Sequence, residues 1–315
     1  MDLRALGDSG LKTPRLVLGG NVFGWTAGGE EAFRLLDRFV DAGGTMIDTA
    51  DVYSAWAPGH KGGESEAFLG EWLKRRGRRD DVLIATKVGM LPIGEDVNLT
   101  PTRIAAAVEA SLKRLGTSHI DLYYAHRDDA KTPLGETLAG FDALIRAGKV
   151  RAIGASNFSA ERLDEALAIS DREGLARYTV LQPEYNLISR GGFEGTLQRL
   201  VVARNIGTLP YFGLASGFLT GKYRSAADLG KGARSNRIEN FLNARGLRVL
   251  AALDAVAAEA DATPAQVALA WLAAQPGVTA PIASATSLAQ LDDLLGVLTL
   301  ELSADQRERL SAASA

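Results

Sequence analysis

Four residues of this chain could pass a proton among themselves: Asp48, Tyr53, Lys87 and His126. A short apolar run, residues 45–47, ends abruptly in Asp48, and Tyr53 follows in the loop behind it. The run 82–86 leads into Lys87, and the run 120–125 leads into His126. If these runs are consecutive parallel strands, all four polar groups emerge at one end of one sheet, where α/β folds place their chemistry. A phenol has a pKa of about 10 and holds its proton near neutrality. An adjacent ammonium favours the phenolate, so Lys87, held by a charge-assisted hydrogen bond to Asp48, is expected to lower the Tyr53 pKa toward the working range. A depression of about two units corresponds to roughly 2.7 kcal/mol. His126 would act as a neutral donor that orients a substrate oxygen toward Tyr53. Such a set protonates an oxygen as electrons reach the neighbouring carbon; no side chain provides a hydride, so a cofactor is required. Taken singly, Asp48 would more ordinarily be a turn or helix cap and Lys87 a surface lysine. Their coincidence at matching strand ends favours chemistry, because a lysine directly after a buried run needs a partner.

The elements that must hold these groups alternate along the chain. Residues 3–14 read as a hairpin turning at Gly7-Asp8-Ser9-Gly10, placed to plug or cover something. Strand-like runs follow at 15–18, 45–48, 82–86, 119–124, 150–155, 180–182, 207–211 and 279–283. Helical patterns fall at 30–42, 65–75, 100–115, 133–147, 159–173, 192–204, 247–260 and 264–274, with two more at 287–295 and 303–312 after the last strand. Thr100-Pro101, Ser159 and Gly116 read as helix caps. Eight βα units in succession predict a (β/α)8 TIM barrel, one domain over residues 1–315, with an N-terminal β-hairpin and C-terminal helices. The segment 216–243, rich in Gly, Lys and Arg, is the one long loop and reads as a cover.

Bulk properties narrow the partners. Apolar residues make up 46% of the chain and charged residues 23%, enough for a large core. A formal net charge of -3 gives no broad cationic field, so neither nucleic acid nor membrane is expected as a partner. There is no cysteine, which removes disulfides and thiolate chemistry. The charged first ten residues do not read as a signal peptide, so a cytoplasmic protein is expected. His60 and His119 have no second ligand at metal spacing, and no metal is expected.

Asp48, Tyr53, Lys87 and His126 resemble the tetrad of the aldo-keto reductase superfamily. The surrounding stretches agree: Ile47-Asp48-Thr49-Ala50-Asp51-Val52-Tyr53, Leu122-Tyr123-Tyr124-Ala125-His126-Arg127, the segment 148–158 and Gln182-Pro183-Glu184-Tyr185-Asn186. The resemblance covers essentially the whole chain. The loop 53–60 and the segment 217–223 are most similar to the bacterial branch related to the potassium channel β subunits. Gly221-Lys222 does not form a P-loop, since the spacing from Gly217 is one residue short and Tyr223 replaces the required Ser or Thr.

The resemblance implies a barrel that binds an extended nicotinamide cofactor without a Rossmann domain, and no Gly-x-Gly-x-x-Gly follows a strand here. By position, Ser156, Asn157 and Gln182 would hold the carboxamide, Tyr211 would stack on the ring, and Gly213, Leu214 and Lys222 would contact the pyrophosphate. Ser284, Thr286 and Gln290 would lie near the ribose phosphate. NADP(H) is the cofactor the family implies; NAD(H) stays open, because residues 281–291 contain no basic side chain. Trp25 and Trp56 are either pocket walls or lids packed on the barrel. Arg127 and Asp128 would line the substrate pocket, Asp128 standing where many relatives have an aromatic residue. The expected partner is a small carbonyl substrate. An alternative is a cofactor-sensing subunit with slow chemistry, and a third is a barrel that has become purely structural.

Overall fold

The computed structural model describes residues 2–92, 98–229 and 238–315. Ten strands and ten α-helices are named here in chain order. The hairpin strands β1 (Arg4–Ala5) and β2 (Lys12–Thr13) pair antiparallel, Arg4 opposite Thr13. The barrel strands are β3 (Val17–Gly19), β4 (Met46–Asp48), β5 (Leu83–Val88), β6 (Ile120–Ala125), β7 (Val150–Ser156), β8 (Tyr178–Gln182), β9 (Gly207–Thr208) and β10 (Ile282–Ala283). They run parallel in the order β10-β3-β4-β5-β6-β7-β8-β9. Thr279 N–H donates to Thr208 O at 2.8 Å and Ile282 N–H to Pro210 O at 2.9 Å, so the two edges meet and the sheet closes. This is a (β/α)8 TIM barrel with an N-terminal hairpin.

Strand periodicity decides what lies inside. Val17, Met46, Ala85, Leu122, Tyr124, Ala152, Val180, Leu209, Ala280 and Ile282 form one buried cluster, and Leu6 and Leu11 from the hairpin belong to it. The hairpin therefore stoppers the N-terminal end of the barrel. Ile47, Ile84, Tyr123, Ile153 and Leu181, at the alternate positions, belong to the second cluster, with the helices. Continuing the inward positions by steps of two toward the C-terminal ends of the strands reaches Asp48, Lys87, His126, Ser156 and Gln182. One position of the barrel interior needs the smallest residue: a Cβ on Gly154 would stand 2.5 Å from the Tyr124 ring.

The helices are α1 (Gly29–Asp41), α2 (Glu64–Arg76), α3 (Pro101–Leu115), α4 (Leu134–Arg146), α5 (Ala160–Glu173), α6 (Thr196–Ala203), α7 (Ala244–Glu259), α8 (Pro264–Ala273), α9 (Leu288–Leu295) and α10 (Ala304–Ala313). The Thr100 hydroxyl accepts from Arg103 N–H, the Ser159 hydroxyl accepts from Arg162 N–H, and Gly116 closes α3 in the left-handed region. Helix α6 starts four residues later than its apolar pattern suggests, because Gly195 adopts φ 94, outside helical geometry. The long segment 216–243 is not featureless: 3-10 turns occupy Ala215–Thr220, Ala226–Asp228 and Glu239–Phe241, while residues 230–237 of that expected cover lie outside the described residues.

Candidate active site

Lys87 lies within β5 rather than just beyond it, opposite Tyr124 of β6 in register, and its side chain is 0% exposed. A buried ammonium must spend all its donors. It does: Nζ donates to Asp48 Oδ2 at 2.6 Å, to the Thr49 carbonyl at 2.7 Å and to the Tyr53 hydroxyl at 3.2 Å. Because the phenolic oxygen accepts from Lys87, its own O–H is free to donate elsewhere. The second Asp48 oxygen accepts from Gln182 Nε2 at 2.8 Å, so β4, β5 and β8 are tied together across the barrel mouth. His126 follows β6 and meets the Tyr53 ring edge to face, with centroids 6.0 Å apart.

Burial, not the neighbouring cation, sets the acidity of Tyr53. Desolvation pushes its phenol above the ordinary value and outweighs the pull of Lys87, while Asp48 adds a further upward push. The expectation that Lys87 would bring the phenol down toward neutrality is thus corrected: Asp48 lies within hydrogen-bond distance of the same ammonium and offsets its charge. Burial also opposes the charge on Lys87, but Asp48 and Tyr53 outweigh it and hold the ammonium above its usual pKa. His126 goes the other way. Burial first, then Lys87 and Arg127, keep its imidazole well below the ordinary range, so it is neutral at physiological pH, and its Nδ1 is buried without a hydrogen-bond partner among the described residues.

The Tyr53 loop is fixed by a residue that the sequence did not single out. Glu64, the first residue of α2, accepts from the backbone N–H groups of Lys61 at 2.7 Å, Gly62 at 3.0 Å and Ser54 at 3.1 Å. Burial raises its pKa, but the backbone N–H groups of Lys61, Glu64 and Ser54, with His60, outweigh it, and the carboxyl is held below its usual value. Below it, Thr49 donates to Ser65 and Ser65 to the Gly20 carbonyl, both at 2.7 Å. An acidic residue opening a helix just after a Gly pair was the available signal.

The residues assigned to a cofactor fall into three groups. Ser156 donates to the Gln182 carbonyl at 2.8 Å, Asn157 Nδ2 to the His126 carbonyl at 2.9 Å, and the Tyr211 hydroxyl to Asn157 Oδ1 at 2.7 Å. These four residues form one polar ring around the mouth beside the tetrad. Gly213 and Leu214 follow Tyr211; Gly213 is buried, and a Cβ there would approach the Leu269 side chain of α8 at 2.8 Å. Lys222 is exposed, its ammonium 5.2 Å from the Tyr223 ring centroid. At α9, Thr286 donates through both N–H and hydroxyl to Gln290 Oε1, and Ser284 donates to Asn21 Oδ1 at 2.7 Å.

Among the proposed pocket residues, Trp25 meets Trp56 edge to face and Trp56 meets the Tyr53 ring likewise, both at 5.6 Å. The two indoles therefore stand beside the phenol, with Trp56 49% exposed. Arg127 is exposed next to His126. Both oxygens of Asp128 accept from Arg162 of α5, at 2.8 and 2.9 Å. Among the described residues no cluster of three His, Asp or Glu side chains is arranged to hold a metal ion, and no helix is long and apolar enough to cross a membrane.

Comparison with known proteins agrees with this geometry. The family model described as Aldo/keto reductase family matches residues 15–315. A probable voltage-gated potassium channel subunit beta of Arabidopsis thaliana is 35% identical over 303 residues, covering 93% of this chain and 90% of its own length. An uncharacterized oxidoreductase of Bacillus subtilis is 33% identical, covering 96% of this chain and 92% of its own. An aldo-keto reductase of Schizosaccharomyces pombe whose name specifies NADP(+) is 32% identical, covering 85% and 78%. The match over nearly the whole length, on a barrel whose inward row ends in these polar residues, makes the chain a member of the aldo/keto reductase family of oxidoreductases.

Proposed function

We propose that the protein reduces a carbonyl compound to an alcohol with NADP(H), Tyr53 giving the proton. The observation that carries this reading is the saturated Lys87 ammonium, which occupies the Tyr53 oxygen and leaves its O–H as the donor. The donor set fits a nicotinamide dinucleotide: amides and a hydroxyl from Asn157, Gln182 and Ser156, the half-buried ring of Tyr211, and the exposed cation Lys222, with Ser284, Thr286 and Gln290 near a ribose. When bound, the reduced nicotinamide supplies the hydride. The chain's own residues do the rest. Neutral His126 donates to the carbonyl oxygen and orients it. Tyr53 transfers its proton to that oxygen as the carbon receives the hydride, and Lys87, held by Asp48, stabilises the phenolate left behind. Trp25 and Trp56 wall the mouth, with Arg127 at its rim. The substrate partner is a small molecule and the site of action the cytoplasm.

The test follows absorbance of NADPH and NADH with a reactive aldehyde, for the native protein and for Tyr53→Phe. Turnover with the native protein should fall about 10²-fold or more in the variant. NADPH should be preferred; preference for NADH would make the missing basic residues of 281–291 decisive. Tight binding of either cofactor with no turnover on a broad aldehyde panel would instead favour a cofactor-sensing subunit, a reading supported by the resemblance to the Arabidopsis β subunit.

A further inference from the structure

Behind the tetrad, between the barrel wall and helices α2 and α3, lies a buried polar cluster that the proposed reaction does not use. Glu66 of α2 is 0% exposed and fully engaged: Thr86 donates to one oxygen at 2.6 Å and Arg114 of α3 to the other at 2.7 Å. Asp51 is 1% exposed and differs. Neither of its carboxyl oxygens has a hydrogen-bond partner among the described residues; the nearby Val52 N–H favours its charged form, and Arg103 Nη2 of α3, which also donates to the Leu91 carbonyl, stands at ion-pair distance, 3.8 Å from Oδ2. The Tyr123 hydroxyl of β6, also buried without a partner, senses both Asp51 and Glu66.

Asp51 is wired to the site by its backbone. Its N–H donates to the carbonyl of Lys87 at 3.2 Å, and Tyr53 N–H donates to the carbonyl of Ala50 at 3.1 Å, so one tight turn carries both the carboxyl and the phenol. We propose that Asp51 is a positioning residue for the Tyr53 acid, acting from behind the tetrad through a buried carboxyl on the same tight turn that carries the phenol. The charged and titratable groups around it are Glu66, Arg103, Arg114, Tyr123, Lys87 and Tyr53 itself. Desolvation first, then Glu66, outweighs Arg103 and Arg114 and pushes the carboxyl up to about 7. It therefore gains a negative charge across the neutral range, and that charge adds a small upward push on the phenol to the larger ones from burial and Asp48.

This consequence for catalysis rests on the reductase reading, but its test reads both groups without turnover. Asp51→Asn keeps the shape and removes the charge. The phenolate absorbance of Tyr53, isolated by subtracting Tyr53→Phe from the native protein and Asp51→Asn/Tyr53→Phe from Asp51→Asn, should titrate lower by about half a pH unit or more in Asp51→Asn. The melting temperature of Asp51→Asn should exceed that of the native protein by several degrees above pH 7, the difference vanishing toward pH 4. A phenolate midpoint unmoved by Asp51→Asn overturns the positioning role, and parallel melting curves across pH overturn the charge change. Should Asp51→Asn fail to fold, carboxyl carbon NMR of the native protein decides: an Asp51 midpoint near neutrality supports the proposal, and one in the ordinary carboxylate range sinks it. Loss of carbonyl turnover in the native protein would count against the reductase reading alone.

Discussion

Lys87 shows how a residue can be both the most expensive and the most constrained group in a fold. A fully buried ammonium is tolerable only because three acceptors surround it, and one of them, Asp48, is itself buried. Removing the cation alone leaves Asp48 as an uncompensated charge. Lys87→Met should therefore cost about 3–5 kcal/mol in chemical denaturation, and adding Asp48→Asn should recover a large part of it. Equal costs for the single and double variants would mean that the charge is not what makes Lys87 structural. Gln182 belongs to the same account: its amide holds the other oxygen of Asp48 and so joins the tetrad to the polar ring around the mouth.

At the scale of elements, the site depends on strands keeping strict alternation. Tyr124 fills the interior one layer below His126 and stands directly beside Lys87 in register, and its ring has room only because β7 carries Gly154. Gly154→Ala should cost about 1–3 kcal/mol through overpacking. Gly191→Ala, where a Cβ meets nothing and φ is ordinary, should stay within about 0.5 kcal/mol of the native protein. Both are read from denaturation midpoints; a costless Gly154→Ala would show that the Tyr124 ring can shift and that the layer is looser than its packing implies. The loop of Tyr53 has a comparable dependence on α2, whose first residue, Glu64, gathers three amides of that loop.

The whole molecule carries two buried groups whose titrations oppose each other. His126 is neutral in the fold well below its ordinary value, whereas the unfolded chain takes up that proton near pH 6.5; the fold thus binds fewer protons below that point, and His126 makes stability fall as the medium becomes acidic. Asp51 keeps its proton up to about 7 while the unfolded chain loses it near 3.8, so it makes stability fall as pH rises between those values. Between about pH 4 and 6.5 the two slopes partly cancel. His126→Gln should expose the Asp51 slope, giving a protein whose melting temperature falls continuously from pH 4 to 7; a curve parallel to that of the native protein would contradict the neutral, buried state of His126.

Much of this was written in the local sequence. Apolar runs that end in Asp48, Lys87 and His126 put those groups at strand ends, and the caps at Thr100, Ser159 and Gly116 set helix ends, because both depend on residues close in the chain, whereas Ser156 and Gln182 were legible only through the family resemblance. The start of α6 was not legible, since a positive φ at Gly195 overrides a continuing apolar pattern. Nor was the Asp128–Arg162 pair, whose members come from different elements. The sign of the Tyr53 shift lay furthest out of reach. Residue types supply a cation beside a phenol, which argues for a lower pKa; only the tertiary structure buries both and sets Asp48 against the same cation, and desolvation then wins. The sequence by itself determined which groups meet at the barrel mouth, and the packing around them decided which protons they hold.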